Sequence, residues 1–343
     1  RLKEAGVTAG LRSSNIRVVD VARVPVHPVK PEVGRDLVMG LLLALAGGIG
    51  LAFLMDSLDS SVRNLEEMAA VSALPALGTI PRSLVPTRKR GFLPYSPAGA
   101  GRESSALVTC ANPHSQAAES YRALRTSILL SSSSAPPKAL LVTSAMQGEG
   151  KTTISANTAI VLAQKGSRVL LVDADLRRPG LAQMLNLPSL PGLSTILSGV
   201  DKQPQFLTPI PEVPTLTLLP AGPIPPNPAE LLGSEGMKFW LARWKSEFDH
   251  IVIDSPPCLS VTDAVILSVE ADKVILVARS GMATRATLRR ASELLRHVNA
   301  DVMGVVLNCL DSNSADYYTY YYGSKYGYGR NEEEAEKLQK AAS

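Results

Sequence analysis

Between residues 139 and 153 the chain reads Ala-Leu-Leu-Val-Thr-Ser-Ala-Met-Gln-Gly-Glu-Gly-Lys-Thr-Thr. An apolar run stops, a loop carrying Gly148 and Gly150 follows, and Lys151-Thr152-Thr153 opens a helical pattern over 151–165. Glycine lets the backbone fold closely around a phosphate, whose oxygens then meet several N–H groups at a helix N-terminus. A lysine there neutralises β- and γ-phosphates, and the threonine after it has its hydroxyl where Mg²⁺ sits. Gly148, Glu149, Gly150, Lys151, Thr152 and Thr153 are therefore expected at a nucleotide. The consensus loop has one more glycine, where this chain has Ala145. A bare Gly-x-Gly-Lys-Thr arises by chance; a strand before it and a helix after it make it specific.

Two acidic strand ends support the same site. Val169-Leu-Leu-Val-Asp173-Ala-Asp175 closes one apolar run with two carboxylates, and Ile251-Val-Ile-Asp254-Ser-Pro-Pro257 closes another with one. In a parallel sheet such carboxyl ends converge on one crevice. Carboxylates there ligate a metal or accept a proton from an attacking group. A single aspartate at such a place also caps the following helix, which is the bland alternative. Thr152, Asp175 and Asp254 are expected at Mg²⁺, and Asp173 is the first choice for a base. Spacing alone does not separate the roles of Asp173 and Asp175.

Further Val-, Ile- and Leu-rich runs at Thr215–Leu219, Lys273–Ala278 and Met303–Leu307 lack strict alternation, as strands covered on both faces do. Helical patterns at 236–248, 261–270 and 283–298 fall between them. The expected fold is α/β, with a doubly wound, mainly parallel sheet flanked by helices over 106–312. Thirty-five basic residues against 31 acidic ones leave a net charge of +4, too little to suggest a nucleic-acid partner. Cys110, Cys258 and Cys309 lie far apart, which argues against a disulfide scaffold or zinc site and for a reducing compartment.

Leu37 to Met55 runs without a charge between Asp36 and Asp56. As a helix it spans about 28 Å, the thickness of a bilayer's hydrocarbon core. A transmembrane helix over 36–56 is expected to precede the sheet. The segment before it, 1–35, includes Pro25, Pro28 and Pro31 at a spacing that favours stiff polyproline II. Its Arg17, Arg23, Lys30 and Arg35 outnumber the basic residues just after the span. The positive-inside rule would put that flank in the cytoplasm, whereas a nucleotide site puts the C-terminal bulk there; the ATP argument is preferred and its conflict with the local charges stands. Residues 57–105 are expected as a juxtamembrane stretch and a linker rich in Pro, Gly and Ser. Its Arg88-Lys89-Arg90 run suits anionic lipid headgroups or a solvated charge cluster.

The acidic motif continues as Leu176-Arg177-Arg178-Pro179, and the whole resembles the Walker A′ motif of bacterial tyrosine autokinases. The resemblance includes Glu119-Ser-Tyr-Arg122-Ala-Leu-Arg125, similar to that family's ExxRxxR subunit-contact motif, and Asn308, similar to an adenine-contacting position. ParA- and MinD-like ATPases carry a signature lysine five residues before the loop lysine; here that position is Met146. Seven tyrosines crowd the segment 313–343: Tyr317, Tyr318, Tyr320, Tyr321, Tyr322, Tyr326 and Tyr328. With no aliphatic residue among them they suit a flexible, phosphate-accepting tail better than a core element.

The resemblance implies an ATP- and Mg²⁺-dependent autokinase that phosphorylates these tyrosines in trans within a ring. It would be fused to a polysaccharide co-polymerase of the bacterial inner membrane, its kinase domain cytoplasmic. Implied partners are polymerase and export machinery, a tyrosine phosphatase and membrane lipid. Residues 1–31 look like the end of the extracytoplasmic domain, and the chain, beginning at Arg1, like the C-terminal portion of a longer protein. A membrane-tethered positioning ATPase and a catalytically idle co-polymerase are the competing classes.

Overall fold

The computed structural model describes residues 33–58, 60–82, 107–132, 135–188, 191–199 and 206–311. The proline-rich lead, the Arg88-Lys89-Arg90 run and all seven tail tyrosines lie outside them. The chain divides into two units, 1–59 and 60–343.

In the first unit one helix runs Val33–Leu58, with side chains exposed throughout 34–55. Its Gly34–Met55 portion is long and apolar enough to cross a membrane.

The second unit is built on one eight-stranded sheet. Its strands are β1 (Ala76–Pro81), β2 (Ala139–Ser144), β3 (Val169–Asp173), β4 (Thr208–Ile210), β5 (Val213–Leu219), β6 (His250–Asp254), β7 (Lys273–Arg279) and β8 (Val302–Leu310). They lie in the order β1-β8-β7-β2-β6-β3-β5-β4, all parallel except the β4–β5 edge pair. The middle strands are apolar on both sides because both sides are covered. In β2, Leu140 and Val142 pack under helices 116–129 and 151–163, whereas Ala139 and Leu141 join a core with Trp240, Trp244, Leu288 and Leu295 beneath the opposite helices.

One part of the sheet departs from the sequence reading. Residues 65–81, read above as juxtamembrane, form helix Leu65–Ser72 and strand β1, which pairs in parallel with β8 at the sheet's edge. Met68 and Ile80 are buried there. The loss of exposed apolar surface outweighs the weak strand character of Ala-Leu-Gly-Thr-Ile-Pro.

Candidate functional site: a phosphate loop with three buried acids

The central position of β2 sets the site. Its right-hand neighbour in the sheet order is β6 and the next is β3, with Val142 opposite Asp254 and Asp254 opposite Asp173. Parallel register thus brings both strand-end acids beside the loop that follows β2. In that loop Gly148 (φ +85°) and Gly150 (φ +95°) take left-handed conformations that L side chains rarely adopt. Gly150 starts the helix Lys151–Ala163, whose residues 154–163 are all buried. A Cβ at Gly150 would lie 2.0 Å from Asn308 Nδ2. That amide is pinned, donating to the Glu149 carbonyl at 2.9 Å while its Oδ1 accepts from Cys309 N–H at 2.9 Å.

Lys151 reaches across the mouth of the site to Asp175, Nζ to Oδ2 3.1 Å. Asp175 Oδ1 also accepts from Arg178 N–H at 3.0 Å. Asp173 sits deeper and is fully buried: one oxygen accepts from the N–H groups of Gly180 (3.2 Å) and Leu181 (3.1 Å), and the other has no hydrogen-bond partner among the described residues. Burial pushes its carboxyl up to about 7, reinforced by the adjacent Asp254 and Asp175 charges. Asp254 is likewise buried, accepts from Ser155 Oγ at 3.1 Å, and keeps its second oxygen unpartnered. Burial raises it to about 6, opposed by the Lys151 ammonium. The three acids therefore differ: Asp175 faces the cleft as an ion-pair partner, while Asp173 and Asp254 form a hidden pair at the strand ends.

A cleft of about 730 Å³ opens over the loop, lined by Gly148, Gly150, Lys151, Thr152, Thr153, Asp175 and Asn308, with Ile80, Val108 and Tyr121 at its apolar side. Glu149 is not on that wall. It is buried, its Oε2 accepts from Met146 N–H at 2.7 Å, and burial lifts its carboxyl to about 7. It braces the loop from inside. Asn308 likewise spends both ends of its amide on backbone, although it borders the cleft.

Several contributors had no role in the site assigned from the sequence. Arg279, at the end of β7, donates to the Gly148 carbonyl at 3.1 Å, and Arg178 to Gln147 Oε1 at 2.8 Å. Arg177 forks onto the buried Asp263 at 2.8 and 2.9 Å, tying the loop after β3 to helix Asp263–Glu270. Asp263 in sequence looks like any acid in a helix's first turn, and only its arginine partner distinguishes it. Glu119, Arg122 and Arg125 lie on helix Gln116–Leu129. Arg122 bonds Glu119 (2.8 Å) and the Pro113 carbonyl (2.6 Å), and Arg125 bonds the Val161 carbonyl (2.9 Å) on the loop's own helix.

No group of three His, Cys, Asp or Glu side chains able to cage a metal occurs among the described residues. Mg²⁺ bound with a nucleotide takes most of its oxygens from phosphate and water and few from protein, so it needs no such cage. The Thr152 hydroxyl, Asp175 and the unpartnered oxygen of Asp254 are donors of the right kind.

Residues 140–323 match the model of the CobQ/CobB/MinD/ParA nucleotide-binding domain. Tyrosine-protein kinase YwqD of Bacillus subtilis is 37% identical over 215 residues, covering 63% of this chain and 90% of that protein. The chain belongs to this tyrosine-protein kinase family. Putative tyrosine-protein kinase EpsB of Ralstonia nicotianae is 34% identical over 94% of the chain but only 41% of its own length, so the chain spans about two fifths of the longer relatives. Among solved structures, the BceF tyrosine kinase domain has a TM-score of 0.64 at 32% identity, covering 73% of this chain and 99% of that one. The kinase domain of Escherichia coli tyrosine kinase ETK has a TM-score of 0.65 at 27% identity, covering 72% and 95%. The family membership fixes the P-loop nucleotide-binding fold of the sheet unit.

Proposed function

We propose that this kinase-family chain transfers the γ-phosphate of ATP to the tyrosines of its own C-terminal segment, Tyr317, Tyr318, Tyr320, Tyr321, Tyr322, Tyr326 and Tyr328. The observation that carries the reading is the pairing of Lys151 with Asp175 at the mouth of a loop that Asp173 and Asp254 back with unpartnered oxygens. The Asp175 carboxylate pairs with the lysine's charge at 3.1 Å. A nucleotide would take Lys151 over and free Asp175 toward Mg²⁺, together with Thr152 and Asp254. Bound Mg²⁺ would neutralise charge on the β- and γ-phosphates. Gly148, Gly150, Thr152 and Thr153 line the cleft and would offer backbone N–H groups to those oxygens, and the Arg279 bond to the Gly148 carbonyl holds the loop in shape. Asp173 is the proposed base, on condition that nucleotide binding moves the loop after β3 far enough to open its unpartnered oxygen to the cleft. A phenol with an ordinary pKa near 10 would yield its proton more readily to a carboxylate whose own pKa is raised toward neutrality.

Acceptors come from a neighbouring copy, with Glu119, Arg122 and Arg125 in the contact between copies. The helix Val33–Leu58 anchors the chain in the bacterial inner membrane with the sheet unit in the cytoplasm. There it serves exopolysaccharide chain-length control and export, alongside polymerase and export machinery, a tyrosine phosphatase and membrane lipid.

Purified full chain given Mg²⁺ and ATP should gain phosphate on the tail tyrosines, read by mass spectrometry of the C-terminal peptide. Lys151→Met should reduce labelling by at least about a hundredfold. ATP consumption with no label beyond residue 312 would leave an ATPase, and no consumption at all an idle module. Seven phosphates would add about ten negative charges or more to each tail, so assembly should weaken. Light scattering should find the phosphorylated form smaller than the Lys151→Met form; equal masses would refute such a switch.

A further inference from the structure

Two methionines stand exposed beside the first half of the phosphate loop, Met146 at 43% and Met282 at 47%. Both project from pinned backbone. Met146 N–H donates to Glu149 Oε2 at 2.7 Å, and its carbonyl accepts from Ser144 Oγ at 2.8 Å. Met282 lies in the turn after β7. There Ser280 N–H donates to the Asn308 carbonyl (2.9 Å), Gly281 N–H to the Val62 carbonyl (3.0 Å) and Met282 N–H to the Arg279 carbonyl (3.1 Å). A Cβ at Gly148 would lie 3.5 Å from Met282 Cε and 4.0 Å from its sulfur, so this thioether covers Gly148. Met146 is two residues from Gly148, hence within about 7 Å along the chain. Gln147, Gly148 and Arg279 beside the pair line the cleft, so the two thioethers stand on its rim.

That stretch of rim is where the last phosphate of a nucleotide would lie. The apolar side of the cleft, with Ile80, Val108 and Tyr121, suits a base. A loop lysine reaches the β- and γ-phosphates, and Lys151 meets Asp175. Arg178 ties this acid to the loop's first half: its N–H holds Asp175, and its guanidinium donates to Gln147 Oε1 at 2.8 Å.

Methionine is unbranched and polarisable, and its sulfur packs favourably at the edge of an aromatic ring. Segment 317–328 of this chain carries seven tyrosines and no aliphatic residue, so rings dominate its apolar surface. In every copy that segment starts from the same corner, because β8 ends at Leu310, two residues past the Asn308 that bonds Ser280.

We infer that Met146 and Met282 form an acceptor subsite, a pair of thioethers that grips one tyrosine ring of segment 317–328 beside the γ-phosphate. The inference rests on the tail tyrosines being the acceptors and goes beyond it by naming what holds the ring. It gives Met146 a task at the position where ParA- and MinD-like ATPases carry their signature lysine.

The test uses the full chain with all seven tail tyrosines changed to serine, so that its own tail offers no ring. A labelled peptide of residues 313–330, with phenylalanine at the seven positions, is added with Mg²⁺ and a non-hydrolysable ATP analogue. Fluorescence anisotropy should show that it binds, and that the same peptide with serine at those positions does not. Met146→Gln and Met282→Gln should each weaken binding about fivefold, within the range of a sulfur–ring contact. Met146→Leu and Met282→Leu, which keep the apolar volume, should change it by less than about twofold. Affinity for the ATP analogue should stay within about twofold throughout, because neither side chain lines the cleft. The tyrosine form of the peptide, given ATP, should be phosphorylated with KM raised in the glutamine variants and kcat unchanged. Ring-peptide binding that ignores both glutamine substitutions, or that the serine peptide matches, would overturn the subsite while leaving the phosphorylation to stand. Analogue affinity lost together with peptide affinity would make the methionines part of the loop's own structure and overturn it as well. Binding as expected, with no phosphate on the tyrosine peptide, would keep the ring site and defeat the autokinase reading instead.

Discussion

Asp173→Asn should abolish tail phosphorylation, by about a hundredfold or more, while nucleotide binding persists. The amide keeps the shape and can still accept from the N–H groups of Gly180 and Leu181, but it takes no proton from a phenol. The same substitution should stabilise the protein, in a pH-dependent way that a merely disruptive change would not produce. In the native state burial and the Asp254 charge hold this carboxyl up to about 7, whereas an unfolded chain ionises it near 3.9. Between those values the native state binds the extra proton, so wild-type stability falls as pH rises from about 4 to about 7, then levels off. Asparagine removes that decline. Thermal unfolding of nucleotide-free protein should show no gap between variant and wild type near pH 4, and a gap equivalent to a few kcal/mol, about 2–4, at pH 7 and above. A gap that shrinks with rising pH would contradict the assigned burial, and undiminished phosphotyrosine would contradict the assigned base.

Gly150→Ala should be nearly as damaging by a different route. The residue sits at φ +95°, and the new methyl would lie 2.0 Å from Asn308 Nδ2. Asn308 cannot easily swing aside, because doing so forfeits its bonds to the Glu149 carbonyl and the Cys309 N–H. Backbone strain and the displaced amide together should cost about 2–4 kcal/mol, and the distorted cradle should lose most of its nucleotide affinity. Calorimetry with a non-hydrolysable ATP analogue and thermal unfolding would measure both. Adding Asn308→Ala should relieve the collision but not the positive φ, so the double variant should regain part of the stability and little of the affinity. Full recovery of both would mean that conformation at Gly150 is unimportant.

What could be read from the residues alone follows from where burial is complete. Strands β2, β3 and β6 are continuous apolar runs ending in a glycine loop or an acid, and all three stand where the sequence placed them to within a residue. β1 escaped notice because Gly78 interrupts it, Pro81 ends it, and its partner β8 lies more than two hundred residues away. Nothing local announces such a pairing. In the site, motif spacing singled out Lys151, Thr152, Asp173, Asp175 and Asp254, which the fold brings together because loop and strand ends have fixed positions in a parallel sheet. It cannot tell which acid faces the opening and which is sealed behind it. That depends on the Lys151–Asp175 contact and on the N–H groups of Gly180 and Leu181. Glu149 shows another limit: motif membership placed it at the nucleotide, but could not tell that its side chain is buried and braces the loop by accepting from Met146 N–H.

The edge position of β1 bears on how this molecule may be shortened. Trimming to residue 106, where the sheet domain is expected to begin from the sequence, would uncover Val-Met-Gly-Val-Val-Leu-Asn-Cys-Leu as an unpaired rim with a ladder of bare amides. Such a fragment would recruit its own kind through that rim and precipitate. Keeping Ser60–Pro81 attached leaves the rim sheathed.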